Sequence, residues 1–164
     1  MRHVLLIAVL ALAAAAPAAG ARTPAEPPET WATVNVCDTF QHPNEMGIRG
    51  SMRGMARKTA MYMRFRVQFR RGTGRWKLLD SGPLTDSGWV RVASGRKGAH
   101  DSGWSFRFEP PETGGADVVR GVVQFQWRRG GKVIARTRAT TTADHPETAG
   151  ADPSDFSAAM CEIA

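Results

Sequence analysis

The sequence predicts an all-β domain, an immunoglobulin-like antiparallel β-sandwich of about seven or eight strands, with a small Greek-key barrel as the structural alternative. Three observations carry this expectation. Two long segments, 61–70 and 119–128, alternate apolar and polar residues with a period of two. Clusters of Gly, Asp, Ser and Pro at 71–74, 80–83, 95–103 and 110–115 separate shorter β-prone runs. No stretch offers an amphipathic helix, a turn near 153–159 apart.

The chain of 164 residues begins with Arg2 and His3, an apolar run over 4–16, the helix breaker Pro17 and the small residues Ala19-Gly20-Ala21. This is the pattern of a signal peptide over 1–21, cleaved after Ala21. The run is shorter than the roughly 20 apolar residues that span a bilayer. It has no Arg-Arg pair ahead of it and no cysteine behind it, which argues against twin-arginine export and lipid attachment. The expectation is a secreted, extracytoplasmic protein with no transmembrane segment in its mature chain. Cleavage removes one charge, that of Arg2, and lowers the net charge from +7 to +6. Residues 22–30 carry Pro24, Pro27 and Pro28 and read as an extended tether. Residues 31–164 then form a single domain.

Strands are expected at 32–37, 48–52, 61–70, 75–79, 88–92, 105–109 and 119–128, with a return strand over 132–139. In the third strand Met61, Met63, Phe65, Val67 and Phe69 point inward, and Tyr62, Arg64, Arg66, Gln68 and Arg70 outward. In 119–128 the inward set is Val119, Gly121, Val123, Phe125 and Trp127, and Arg120, Val122, Gln124, Gln126 and Arg128 face the other way. Arg129-Gly130-Gly131 makes a hairpin turn. The return strand then sends Val133, Ala135, Thr137 and Ala139 inward, with Arg136 and Arg138 outward. The strands at 61–70, 75–79, 119–128 and 132–139 belong to one sheet, and those at 32–37, 48–52, 88–92 and 105–109 to the other.

Export places Cys37 and Cys161 where disulfides persist, and two cysteines allow one intramolecular pairing. An intermolecular bridge and two free thiols are the rival states. Neither cysteine belongs to a Cys-x-x-Cys pair, which argues against a redox enzyme and a zinc ribbon.

The leader, the run Trp31-Ala32-Thr33-Val34-Asn35-Val36-Cys37-Asp38, the alternating strand at 61–70 and the tail from Gly150-Ala151-Asp152-Pro153 to Cys161 together resemble small uncharacterised exported immunoglobulin-like proteins of high-GC bacteria. The resemblance covers most of the mature chain and implies a fold but no activity. The chain departs from antibody-type domains, whose inter-sheet cysteines it lacks.

Candidate chemistry is sparse. Asp-Ser-Gly occurs at Asp80, Asp86 and Asp101 and reads as Asx turns rather than as an aspartic protease pair. His42 and His145 lie in loop-like segments with Glu45 and Glu147 nearby, but nothing fixes a metal-ligand spacing. Ser51 lacks a nucleophile elbow, and no phosphate-cradling loop or cofactor motif is present. The five tryptophans suit core and edge packing.

The remaining feature is charge. Arg64, Arg66, Arg70, Arg120, Arg128, Arg136 and Arg138 all fall on outward positions of the three long strands. If these strands are neighbours, they make a face suited to polyanions. The 18 arginines against 4 lysines also suit a GC-rich genome, and antiparallel sheets ordinarily leave one face in water. Acidic residues are expected among like charges on neighbouring strands. Nucleic acid is the least favoured polyanion, because only Tyr62 interleaves the basic residues. The leading functional expectation is an exported, non-enzymatic immunoglobulin-like domain for surface binding or a cell-envelope accessory role through this basic face, with an anionic cell-envelope polymer or a protein as the candidate partner. The alternatives are a hydrolase or protease inhibitor acting through an exposed loop at 94–103 and an enzyme using Asp80 or Asp101.

Overall fold

The computed structural model describes residues 29–95, 97–109 and 116–163. The expected leader, most of the tether and the turn cluster at 110–115 lie outside the described residues. Among the described residues the chain forms nine strands and one 3-10 turn, Gly82–Leu84. They are β1 (Thr30–Cys37), β2 (Glu45–Arg53), β3 (Thr59–Arg70), β4 (Lys77–Leu78), β5 (Val90–Gly95), β6 (Ala99–Arg107), β7 (Asp117–Arg129), β8 (Lys132–Thr140) and β9 (Cys161–Ile163). Thr30, assigned to the tether, is the first residue of β1.

All the strand pairings are antiparallel. One sheet has the order β1-β2-β6, the other β4-β3-β7-β8, with β5 added to β3 and β9 to β7. The chain is thus an all-β sandwich, and the order within its two sheets is that of an immunoglobulin-like topology.

The long strands behave as their alternation requires. In β3 the residues Met61, Met63, Phe65 and Val67 have no exposed surface, and in β7 neither do Val123, Phe125 and Trp127. They pack on Ala32, Val34, Met46, Ile48, Met52 and Phe106 of the opposing sheet. The buried Trp127 sends its indole N–H across the core to the Arg53 carbonyl at 2.9 Å, so its polar atom is satisfied. Gly121 allows the closest approach of the layers. A Cβ there would lie 2.7 Å from both Ile48 Cδ1 and Thr141 Cγ2.

Gly130 and Gly131 both have positive φ, 53° and 77°, which is the backbone of a two-residue hairpin turn. A bulge beside Trp127 and Arg128 shifts the register at the start of β8. Val133, expected inward, is therefore 39% exposed.

The structure corrects four further expectations. The strand expected at 88–92 starts at Val90 and joins β3, not the smaller sheet. β4 covers only Gln68 and Phe69 of β3, so the other half of that edge needs a partner for its backbone groups. Residues 99–103, expected as turn or exposed loop, belong to β6 and pair with Gly103 opposite Arg49 and Asp101 opposite Ser51. A nine-residue ladder with β2 overrides the local turn preference of Asp-Ser-Gly. Asp101-Ser102-Gly103 is therefore strand rather than an Asx turn. Finally, β9 is a three-residue strand with no periodic signal of its own.

Cys37 and Cys161 form the one disulfide, 124 residues apart in sequence. The same C-terminal segment covers the outer edge of β1. Val34 and Ala158 exchange both backbone hydrogen bonds, at 2.9 and 3.0 Å, and the Asp152 N–H donates to the Asn35 carbonyl. At the far side of the larger sheet, β8 ends the strand order, and among the described residues no further strand pairs with it.

Candidate functional site

The seven arginines singled out in the sequence lie on three strands that pair directly. Their register interleaves charge with neutral side chains. Arg64 of β3 lies opposite Gln124 of β7, which lies opposite Arg138 of β8. One pair of positions along, Tyr62 faces Gln126, which faces Arg136. Gln68 faces Arg120, and Arg66 and Arg70 face Val122 and Val118. No arginine of this set directly opposes another, so the cross-strand repulsion expected of like charges is reduced.

The expected acidic partner is Asp86, in the segment between β4 and β5. Ser87 N–H donates to the Phe65 carbonyl, which fastens this segment along β3. Asp86 accepts 2.8 and 2.5 Å hydrogen bonds from Arg64 Nε and Nη2. Its carboxylate also lies 3.1 Å from Arg66 Nε. It closes an Asx turn as well, accepting from Gly88 N–H at 2.9 Å. The Arg64 hydrogen bond is the main cause that holds the Asp86 carboxyl below its usual range, helped by the Gly88 N–H and both guanidinium charges against partial desolvation. Arg64 is correspondingly stabilised in its charged form, through the same Asp86 hydrogen bond.

Arg70, Arg120 and Arg128 are held by aromatic rings and amides. Arg70 and Arg120 lie 4.7 and 4.2 Å from the Trp76 ring centre. Arg128 lies 4.2 Å from that of Tyr62 and 5.5 Å from that of Trp89. Three aromatics thus share the face, where Tyr62 alone was expected. Trp76 follows the β3–β4 turn and Trp89 precedes β5, so neither position was readable from strand alternation. Gln68 Oε1 accepts from Arg120 Nε at 2.9 Å, and Gln126 Oε1 accepts from Arg128 Nε and Nη2 at 3.0 and 2.7 Å. Partial burial, then the Arg70 charge, lowers the pKa of Arg120.

Arg136 and Arg138 differ from these five. Both are exposed on the edge strand β8. Among the described residues neither takes part in an ion pair, side-chain hydrogen bond or ring contact. They form one wall of an open groove of about 600 Å³, whose other lining includes Arg64, Trp89, Gln124 and Gln126.

The other candidates lie elsewhere. Asp80 is exposed beside the larger sheet, and Asp101 is exposed in β6 of the smaller one. His42 lies 3.7 Å from Glu45, whereas His145 stacks on Trp31 with ring centres 4.3 Å apart. Thr39, in the loop that carries His42, hydrogen-bonds Asp152 of the segment between β8 and β9 that carries His145, so these segments meet through a hydroxyl and a carboxylate rather than through their histidines. Ser51 is a buried residue of β2. No helix among the described residues is long and apolar enough to cross a membrane. No protein-family model matches the chain, and no curated protein matches it.

Proposed function

We propose that this protein is an exported, non-enzymatic immunoglobulin-like binding domain. It acts at the cell envelope by holding an anionic polymer on the outer face of its larger sheet. The observation that carries the reading is the pair Arg136 and Arg138, exposed side by side on an edge strand with no acidic partner in the described chain. Two like charges two residues apart repel each other, and an anionic polymer would relieve that repulsion by lying across both. The signal-peptide pattern and the disulfide support an extracytoplasmic setting. The non-enzymatic reading is supported by Asp80 and Asp101 belonging to different layers, which gives no paired carboxylates.

The test is retention of the purified protein on isolated envelope fractions at low and high salt, beside an Arg136→Glu/Arg138→Glu variant. Retention that weakens with salt and is lost in the variant is the expected result. Equal retention of the two proteins would reject the reading.

A further inference from the structure

We infer that the open groove over β7, walled by β8 on one side and by Arg64 and Trp89 on the other, takes a phosphodiester-linked polyol, with two successive phosphates of the chain seated on Arg138 and Arg136. The inference rests on the polyanion reading and narrows it to one ligand class.

The first argument is the donor character of the groove. The Asp86 carboxylate beside it is engaged by Arg64, Arg66 and Gly88. Gln126 spends its carbonyl oxygen on Arg128, which leaves its NH2 group as the free end of the amide. Arg136 and Arg138 are donors only. Gln124 adds one amide to the lining, so the charged groups open to a ligand are donors, and they suit one that brings acceptors and negative charge together, as phosphate does with bidentate geometry at a guanidinium.

The second argument is spacing. Positions 136 and 138 lie on one face of a strand, about 7 Å apart, and their Cα atoms are separated by six backbone bonds. Successive phosphorus atoms of a three-carbon polyol phosphodiester are also joined by six bonds, P–O–C–C–C–O–P. Extended chains of equal bond count have similar reach, roughly 7 Å in both cases. Such a ligand runs along β8 in step with the strand. A polyuronate instead separates its carboxylates by sugar rings and has no such match.

The third argument concerns nucleic acid, whose phosphates are also six bonds apart. Single strands bind to such grooves chiefly by stacking bases on aromatic faces. Here Tyr62, Trp76 and Trp89 each carry a guanidinium over the ring, at 4.2 to 5.5 Å. Of these rings only Trp89 lines the groove, and it already carries Arg128 over the ring, so the geometry favours a ligand without bases.

The experiment is titration of the full mature protein, at low salt, with four synthetic chains of equal charge number. They are a three-carbon and a five-carbon polyol phosphate, a polyglucuronate and an oligothymidylate. The three-carbon chain should bind tightest, and Arg136→Ala and Arg138→Ala should each weaken it about tenfold. Melting temperatures of the ligand-free variants should match the parent, which separates lost binding from lost folding. Equal affinity for polyglucuronate would overturn the phosphate assignment and leave the polyanion reading standing. Equal affinity for the five-carbon chain would overturn the register argument, and tighter binding of oligothymidylate would replace the polyol by nucleic acid. Undiminished binding by the two alanine variants would move the site off β8. Failure of all four ligands to bind would bring down both readings.

Discussion

Asp86 holds Arg64 by both ends of its carboxylate, Oδ1 to Nε at 2.8 Å and Oδ2 to Nη2 at 2.5 Å, and the same side chain faces Arg66. The carboxylate is 17% exposed, so the pair is poorly screened by water. Its pKa is lowered in the folded protein, chiefly by the Arg64 hydrogen bond. A carboxyl group with a depressed folded pKa contributes stability above its unfolded value, near 3.9, and loses it as the pH falls through the folded value. Thermal melts should therefore be flat with respect to this group above about pH 5 and decline in the acid range below about pH 4. In Asp86→Asn the acid decline should be shallower, measured against that variant's own neutral value. An unchanged acid profile would contradict the assignment.

The arginines of one face should separate into two energetic classes. Asp86→Ala removes the shared partner of Arg64 and Arg66 and should cost about 1–3 kcal/mol in urea unfolding. Arg136→Ala and Arg138→Ala break no side-chain hydrogen bond, ion pair or ring contact among the described residues and should stay within about 0.5 kcal/mol of the parent.

Gly121→Ala tests the contact between layers. The added methyl meets Ile48 and Thr141 at 2.7 Å, and both are buried. Relief requires the sheets to part or Ile48 to leave its rotamer, at about 1–3 kcal/mol. The measurement is a shift of the denaturation midpoint with no change in slope. Ile48→Val in the same chain should recover part of the loss, because it removes a methyl group from the crowded side.

Loss of the disulfide should be felt throughout the domain. Cys37→Ala/Cys161→Ala frees a loop of 124 residues in the unfolded chain and should destabilise the fold by about 2–5 kcal/mol. Amide exchange should rise first in β9 and in the backbone bonds between Val34 and Ala158, which depend on the C-terminal segment staying on β1.

Much of the sandwich was legible because its two central strands contrast their faces sharply. Met61 to Val67 and Val119 to Trp127 alternate without exception between core and outer face, so burial dictates their register. The outward positions of the arginines on β3, β7 and β8 followed from the same alternation. The short or polar elements were not legible. β9 has only Cys161, Glu162 and Ile163, too few for a period. β5 moved between sheets because its place depends on how little of β3 is covered by β4. Within the site, the aromatics were misjudged because Trp76 and Trp89 stand outside the alternating runs and reach the arginines only when the chain folds back. The pairing of Asp86 with Arg64 is likewise a product of tertiary structure, spanning 22 residues.

The bond between Cys37 and Cys161 has a mechanical meaning. It joins the last residue of β1 to the first residue of β9. Tension applied between the segments outside that bond passes directly through the sulfurs. β2 to β8 and the face they build lie inside the covalent ring and carry none of the load. Only β1 and the few residues of β9 can be peeled away. Stretching the chain between its two ends beyond that point would require reducing the bond first.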